Sequence, residues 1–448
     1  MLDTIIIGGG FSGIAAARIL HKTNKSFIVL EARERLGGRV YTKRFENGQY
    51  LDFGGQWIGP TQDRMYALCK EYGVDYYETY NEGYNILDFD QKVKKYRGLI
   101  PKIDIISLLN LDWLLRKMER MAKGIPASKP WSHPKSEAYD KILLSDFIKN
   151  NSFTKASHKV ITYGLETVFA CELNTISLLH ALFYIKSGHN LNSLISIKDG
   201  AQQHRIVGGM QTLVDKIAAE FLSKIRYNHP VRSIIQDQKS VKVSGDGFEF
   251  EAKNVIIAIP PPLAAEIKFS PELGSQKSQI INRISMGKVG KCFMVYEKPF
   301  WRDKNFSGQA LADEHSPFQT FFDSSPKNGE YGVILGFTIA DRAENFFKKS
   351  LEQRKQTMLK KLVDYFGDEA KNPTAYHDFT MTDETWSRGC YAGLYPVGGW
   401  TEFQDAYSKP EGRIFWAGTE ASDVWFGYIE GAVRAGEKAA HMTIGNLS

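Results

Sequence analysis

Thr4-Ile5-Ile6-Ile7-Gly8-Gly9-Gly10-Phe11-Ser12-Gly13 begins the unit that decides the fold, and Ile14 to Lys22 followed by Phe27-Ile28-Val29-Leu30-Glu31 completes it. A β-branched run, a glycine turn, a helical pattern and a second β-branched run predict strand, turn, helix, strand. In such a unit Gly8 turns the chain tightly, Gly10 lets backbone N–H groups approach a pyrophosphate, and Gly13 lets the helix lie close on the strand. The helix N-terminus directs its dipole at the phosphates. Glu31 stands 18 residues beyond Gly13, where a carboxylate accepts hydrogen bonds from ribose hydroxyls and repels a 2′-phosphate, which disfavours NADP. A tight turn in an unrelated α/β protein would carry the same glycines; the flanking elements and the acid favour nucleotide binding. NAD and FAD share this opening.

Working outward, Ala32-Arg33-Glu34-Arg35-Leu36-Gly37-Gly38-Arg39-Val40 and then Asp52-Phe53-Gly54-Gly55-Gln56-Trp57-Ile58-Gly59-Pro60 follow. Paired glycines around Arg39 would let backbone and guanidinium reach a pyrophosphate and the edge of an isoalloxazine; two surface turns would use the same residues. With 448 residues the chain exceeds what one core usually serves, so two domains are expected. Apolar and charged residues make up 43% and 24%, as in ordinary soluble proteins, with no low-complexity tract. The formal charge of +6 is spread along the chain and not gathered in a stripe, which argues against nucleic acid. Four separated cysteines, Cys69, Cys171, Cys292 and Cys390, suggest neither metal site nor disulfide framework and fit a reducing compartment. No signal peptide and no run near the ~20 apolar residues of a membrane span is seen, so a soluble, cytoplasmic protein without a transmembrane anchor is expected.

Further motifs carry a resemblance: Gly208-Gly209-Met210, the segment around Val231, Val255-Ile256-Ile257-Ala258-Ile259-Pro260, Lys291-Cys292 leading to Lys298-Pro299-Phe300-Trp301, Gly389-Cys390-Tyr391, Phe415 to Glu420, and Trp425 to Ala432. On these the chain resembles the flavin-containing amine oxidase family, and within it the monoamine oxidases, over nearly its whole length and most weakly between about 80 and 160. The resemblance implies an α/β fold: a Rossmann-type FAD-binding domain with an interleaved α+β substrate domain. The FAD domain would be assembled from residues 1–76, 205–271 and 384–448, and the substrate domain from 77–204 and 272–383.

It also implies roles. The FAD contacts would be Gly8, Gly10, Gly13, Glu31, Arg33, Gly38, Arg39, Gly54, Gly55, Gln56, Trp57, Val231, Trp386, Cys390, Gly418, Glu420, Gly427, Tyr428 and Ile429. Cys390 matches the cysteine joined covalently to FAD in monoamine oxidases; as a free thiol it would be a small buried hydrophobe. Tyr391 and Tyr428 match the tyrosines facing each other across the substrate amine, where aromatic faces guide a neutral amine. Lys291 matches the lysine that reaches flavin N5 through a water and assists oxygen chemistry; a solvent-facing lysine such as Lys288 is the plain alternative. Trp57, Ile195 and Gln202 fall where the family lines its substrate cavity, with Ile195 as a gate. A helix from Gly427 to Ala440 would aim its N-terminus at the flavin pyrimidine.

The reaction so implied is oxidation of a small primary monoamine to an aldehyde, ammonia and hydrogen peroxide, with the amine and oxygen as partners, no metal, and a homodimer as a candidate working form. A diamine or polyamine oxidase is the alternative, for which Glu172 is a candidate carboxylate for the distal ammonium; a flavin-binding module without turnover is the other. Tyr395-Pro396-Val397-Gly398-Gly399 departs from the family's pattern after the tyrosine. Ile105 to Leu115 reads as an amphipathic helix that packs on its own domain or lies on a membrane.

Overall fold

A computed structural model describes residues 1–90, 92–98, 101 and 103–447. The opening motif folds as strand Leu2–Ile7, helix Phe11–Lys22 and strand Phe27–Leu30, the helix starting three residues earlier than its apolar pattern suggests. Gly10 is its N-cap and carries no side-chain cap, so the helix's first N–H groups are left for something else to satisfy.

These strands lie in an eight-stranded sheet whose pivot is the long strand Phe248–Ile257. On one edge that strand pairs in parallel with Leu2–Ile7. On the other its first half pairs antiparallel with Val241–Gly245, and its second half pairs in parallel with Ile414–Trp416. The parallel strands therefore end together at Ile7, Leu30, Ile257 and Trp416, the edge where open α/β sheets bind ligands. The last helix, Ile429–Gly445, packs on the first. A Cβ on Gly436 would lie 2.0 Å from the carbonyl oxygen of Ser12, so the small-residue face of this helix is what permits the approach.

A second, seven-stranded sheet runs in the order Ala375–Thr380, Val289–Tyr296, Gly332–Ile339, Thr320–Asp323, Phe306–Ala312, Tyr84–Phe89, Lys92–Tyr96. Its register aligns Leu311, Thr320, Phe337, Lys291 and Phe379 in one row across five strands. Paired residues share a face, so this row is a continuous floor. At its Phe379 end it packs against Phe53, whose ring stacks on Phe379 at 5.3 Å and on Phe293 at 5.6 Å. There the second sheet meets the loop that follows strand Tyr50–Asp52, which pairs with Thr42–Arg44 outside the first sheet.

Helices between residues 105 and 195 cover the rest. Ile105–Lys123, capped by Asp104 accepting from the Ser107 N–H, buries Leu111, Leu114 and Met118 and leaves Ile105, Ile106 and Leu109 exposed. One face of this helix thus packs on the protein, as the amphipathic pattern suggests. No described helix is long and apolar enough to cross a membrane.

Candidate active site

A cavity of about 980 Å³ opens along the carboxyl edge of the first sheet and continues over the floor of the second. At the nucleotide end, Gly8 has φ +102°, and a Cβ on Gly13 would sit 1.9 Å from the Gly8 carbonyl oxygen. Those two glycines serve the turn and the packing. Gly10 is different: a Cβ there would meet no protein atom closer than 3.8 Å. The space in front of it is kept open by the chain but filled by none of it, which fits a phosphate group resting on the uncapped helix N-terminus. Glu31, almost fully buried, accepts from the Gly9 N–H at 2.7 Å and the Arg33 N–H at 2.9 Å. Arg33, which also lines the cavity, is paired with Glu384.

Two cations face the middle of the cavity, Lys291 buried and Arg39 with 20% of its side chain exposed. Arg39 donates from Nη1 to Glu420 Oε1 at 2.6 Å and from Nη2 to Oε2 at 3.1 Å, and from Nη1 also to the carbonyl oxygen of Tyr391 at 2.9 Å. Burial works against this guanidinium, but the Glu420 carboxylate outweighs it and holds its pKa above the ordinary value. The Glu420 side chain is fully buried and takes a further bond from the Gly393 N–H. It lies behind Arg39 and not on the cavity wall, so its contribution is to hold the guanidinium in place.

Lys291 rises from the centre of the floor, in a strand buried throughout. Its ammonium donates to the Asp52 carbonyl oxygen, to the Gly54 carbonyl oxygen at 2.9 Å and to Gln56 Oε1 at 2.5 Å. The rings of Phe293, Phe337 and Trp57 lie within 5.3, 5.6 and 6.0 Å. Burial lowers its pKa to about 7; Asp52 opposes that and Arg205 adds to it. Lys288, three positions earlier, is half-exposed and paired with Glu344 at 2.6 Å, so the two lysines of one motif have opposite environments.

Cys390 and Tyr391 lie on the loop that enters this region, joined by a cis peptide, and Tyr428 is the N-cap of the last helix. All three line the cavity, with Gly427 and Ile429. The helix begins two residues after the Gly427 start expected from the sequence and runs on to Gly445. Burial pushes the Cys390 thiol up to about 12, against the pull of Arg39 and Lys291. Burial also raises both tyrosine phenols far above the usual range, with Cys390 and Tyr428 adding to the effect on Tyr391. Both phenols are neutral donors at any working pH.

Beyond them the wall is apolar. Phe322 and Phe337 contact Trp57 at 5.3 and 5.9 Å, with Ile195, Leu165 and Val168 nearby on the same lining. The polar atoms around Trp57 are neutral: Trp57 Nε1, Thr320 Oγ1 and Gln202 Oε1 are buried without a hydrogen-bond partner among the described residues, while the charged Arg116, Glu119 and Arg120 line the cavity on helix Ile105–Lys123. Glu172 does not line the cavity; its Oε1 accepts from the Asp341 N–H at 3.4 Å.

Of the candidate site residues singled out from the sequence, Gly13, Glu420 and Glu172 stand off the wall and the others line this cavity. Sequence reasoning missed Leu311, Thr320, Phe322 and Phe337. The alternation Thr320-Phe321-Phe322-Asp323 signals a strand with two residues per face, but which face meets the cavity depends on register with strands far along the chain. It also missed Tyr184, whose hydroxyl would lie 2.5 Å from a Cβ on Gly427 and which sat in an ordinary helical apolar run.

The family model described as flavin containing amine oxidoreductase matches residues 11–442. The chain is 36% identical over 452 residues to flavin-containing amine oxidase A of Equus caballus, covering 100% of this chain and 86% of that one. Among solved structures it is similar to cyclohexylamine oxidase from Brevibacterium oxydans, with a TM-score of 0.96, 28% identity and coverage of 100% and 99%. It is also similar to wild-type putrescine oxidase bound to putrescine, with a TM-score of 0.93, 29% identity and coverage of 99% of both chains.

Proposed function

This chain belongs to the flavin-containing amine oxidoreductase family and is an FAD-dependent amine oxidase, acting on an amine with oxygen; we propose that the amine is a small primary monoamine, which leaves as an aldehyde and ammonia. The observation that carries this reading is the charge of the cavity beyond the tyrosines. A diamine brings a second ammonium, and burying it without a carboxylate costs several kcal/mol. The carboxylates on the cavity wall are Glu31, Glu119 and Glu266. Glu31 sits at the nucleotide end, Glu119 takes a bond from the Leu191 N–H, and Glu266 is paired with Arg388. Around Phe322, Phe337, Ile195 and Thr320 the lining is apolar or neutral, and Glu172 is elsewhere.

In this reading FAD, when bound, accepts two electrons from the amine and passes them to oxygen. Gly10 and the free N–H groups at the start of helix Phe11–Lys22 would hold its phosphates, and Glu31 its ribose. Tyr391 and Tyr428 orient a neutral amine by their ring faces while the apolar wall excludes water. Lys291 holds a proton at Nζ, where positive charge favours the reduction of oxygen. Cys390 would tie the flavin through a thioether; Arg39 and Lys291 offset only part of the burial that keeps its thiol protonated. The division into an FAD domain of residues 1–76, 205–271 and 384–448 and a substrate domain of 77–204 and 272–383 belongs to the same proposal. Membership of the two sheets supports it, since every strand of the first lies in the former set and every strand of the second in the latter.

Anaerobic titration with benzylamine, tyramine and putrescine tests the substrate. Bleaching by the two monoamines at kcat/KM at least about tenfold above putrescine is expected, and a preference for putrescine would overturn the reading. Acid precipitation of the same protein should carry the yellow chromophore down with the chain. Cys390→Ala should release it to the supernatant.

A further inference from the structure

Lys291 is held in an unusual way for a buried ammonium. All three of its N–H groups are taken, yet no carboxylate oxygen is among the acceptors: two are main-chain carbonyls of Asp52 and Gly54, and the third is Gln56 Oε1. The carbonyls are fixed by the turn that carries them. Asp52 is locked in place by its own carboxylate, which accepts from the Thr42 hydroxyl and the Met210 N–H and faces the Arg205 guanidinium at 3.7 Å. Gln56 is thus the one acceptor that a side chain supplies. It is 2% exposed, it lines the cavity, and its Nε2 has no hydrogen-bond partner among the described residues. A glutamine placed there to satisfy the core would have both ends of its amide engaged. Here only the oxygen is engaged, and only by Lys291, so the ammonium alone sets which way the amide faces.

We propose that Gln56 is a positioning residue for Lys291, whose amide oxygen fixes the ammonium over the cavity and keeps it charged. The inference rests on the reading of Lys291 as the group that assists oxygen reduction. The charged or titratable groups that face Lys291 are Asp52 from the strand before Gln56, Arg205 from the neighbouring strand, and Cys390 from the loop opposite. Asp52 and Arg205 are bound to each other, and the Cys390 thiol is neutral near neutrality. Loss of the Gln56 oxygen leaves one N–H of a desolvated cation without an acceptor, which favours the neutral amine. A carboxylate in its place does the reverse.

The test uses the flavin-loaded full chain with Gln56→Leu, Gln56→Asn and Gln56→Glu, and Lys291→Met as reference. Three quantities are followed across about pH 6 to 10: the rate of anaerobic flavin reduction by benzylamine, the rate of reoxidation by oxygen, and the titration of the Lys291 side chain by lysine-selective NMR, assigned by its loss in Lys291→Met. In Gln56→Leu the midpoints of reoxidation and of the NMR titration should fall together by about one pH unit; in Gln56→Glu they should rise together by about one to three. Reduction by amine should lose less than reoxidation does, since the oxygen step is the one that uses the charge. Gln56→Asn, whose shorter side chain falls short of Nζ, should behave like Gln56→Leu. NMR midpoints that stay with the parent in both Gln56→Leu and Gln56→Glu would overturn the proposal. If Gln56→Leu does not retain flavin, Gln56→Glu and Gln56→Asn decide together: the proposal requires a rise in the first and a fall in the second, whereas loss of structure exposes the lysine and raises its midpoint in both, and a Gln56→Asn midpoint at or above the parent's would overturn the proposal. Unchanged reoxidation in Lys291→Met would instead overturn the role given to Lys291, while the NMR titration would still decide whether Gln56 sets that ammonium.

Discussion

Arg39 and Lys291 stand in the wall of the same cavity, and they are held in opposite ways. Arg39 has a carboxylate on both of its outer nitrogens, and its charge is reinforced. Lys291 has only neutral oxygens and aromatic rings, and its charge is undermined to the point where it titrates near neutral pH. The guanidinium cannot lose its proton in any useful range, so pairing it makes a permanent fixture. An ammonium left without a carboxylate can gain and lose a proton during turnover. One cation is built to hold, the other to change.

If that is the difference, removing the partner of the first should damage the structure. Glu420→Gln leaves a half-buried guanidinium facing a neutral amide, and breaking such a pair costs at most the roughly 3–5 kcal/mol of a fully buried one. Chemical denaturation should show this loss, with reduced flavin retention, since Arg39 also anchors the Tyr391 carbonyl. A variant as stable as the parent would mean that the pair is not what fixes this wall.

Removing the second cation should spare the structure and damage the chemistry. Lys291→Met replaces a desolvated ammonium with a side chain of similar length, a change that is often neutral or stabilising. Reoxidation by oxygen should fall by about 10²-fold, the size seen when one electrostatic stabiliser is removed, while anaerobic reduction by amine stays within a few-fold. Equal losses in both half-reactions would erase the distinction between the two cations.

How far this contrast was legible beforehand depended on distance along the chain. The opening unit carries its own logic, because Gly8, Gly10, Gly13 and Glu31 act on their near neighbours, and strand, helix and strand fall where the pattern puts them. Arg39 was readable as a cavity residue, but the position of Glu420 behind it, 381 residues away, was not. Lys291 lies in a strand with no buried–exposed alternation to mark it; only the family motif distinguished it from Lys288. Gln56 was readable as part of a glycine-rich turn. Its bond to Lys291 spans 235 residues and exists only because the turn after Asp52 is laid against the second sheet. The floor row of Leu311, Thr320 and Phe337 was invisible for the same reason, since register is a property of paired strands and not of any one of them.

The smallest predicted effect separates the two cations most directly. The folded pKa of Lys291 is about 7 against an ordinary 10.5, so the charged form is disfavoured by folding. Below pH 7 the lysine is protonated in both states and its full penalty is present. Between about 7 and 10.5 the unfolded chain binds a proton that the folded chain does not, so stability rises with pH; above that window both are neutral and the penalty is gone. The advantage of Lys291→Met over the parent should therefore be greatest at and below pH 7. It should shrink by up to about 1.4 kcal/mol per pH unit as the pH is raised. Lys277, also lowered to about 7 by burial, titrates alike in both proteins and cancels in the comparison. Glu420→Gln provides the control: Arg39 keeps its charge throughout this window, so the offset between that variant and the parent should stay flat. Denaturation curves for the three proteins at three pH values across the window decide it. A sloping offset for Lys291→Met beside a flat one for Glu420→Gln is the expected outcome, whereas two flat offsets would place the Lys291 ammonium outside the titrating range and leave both cations as permanent fixtures.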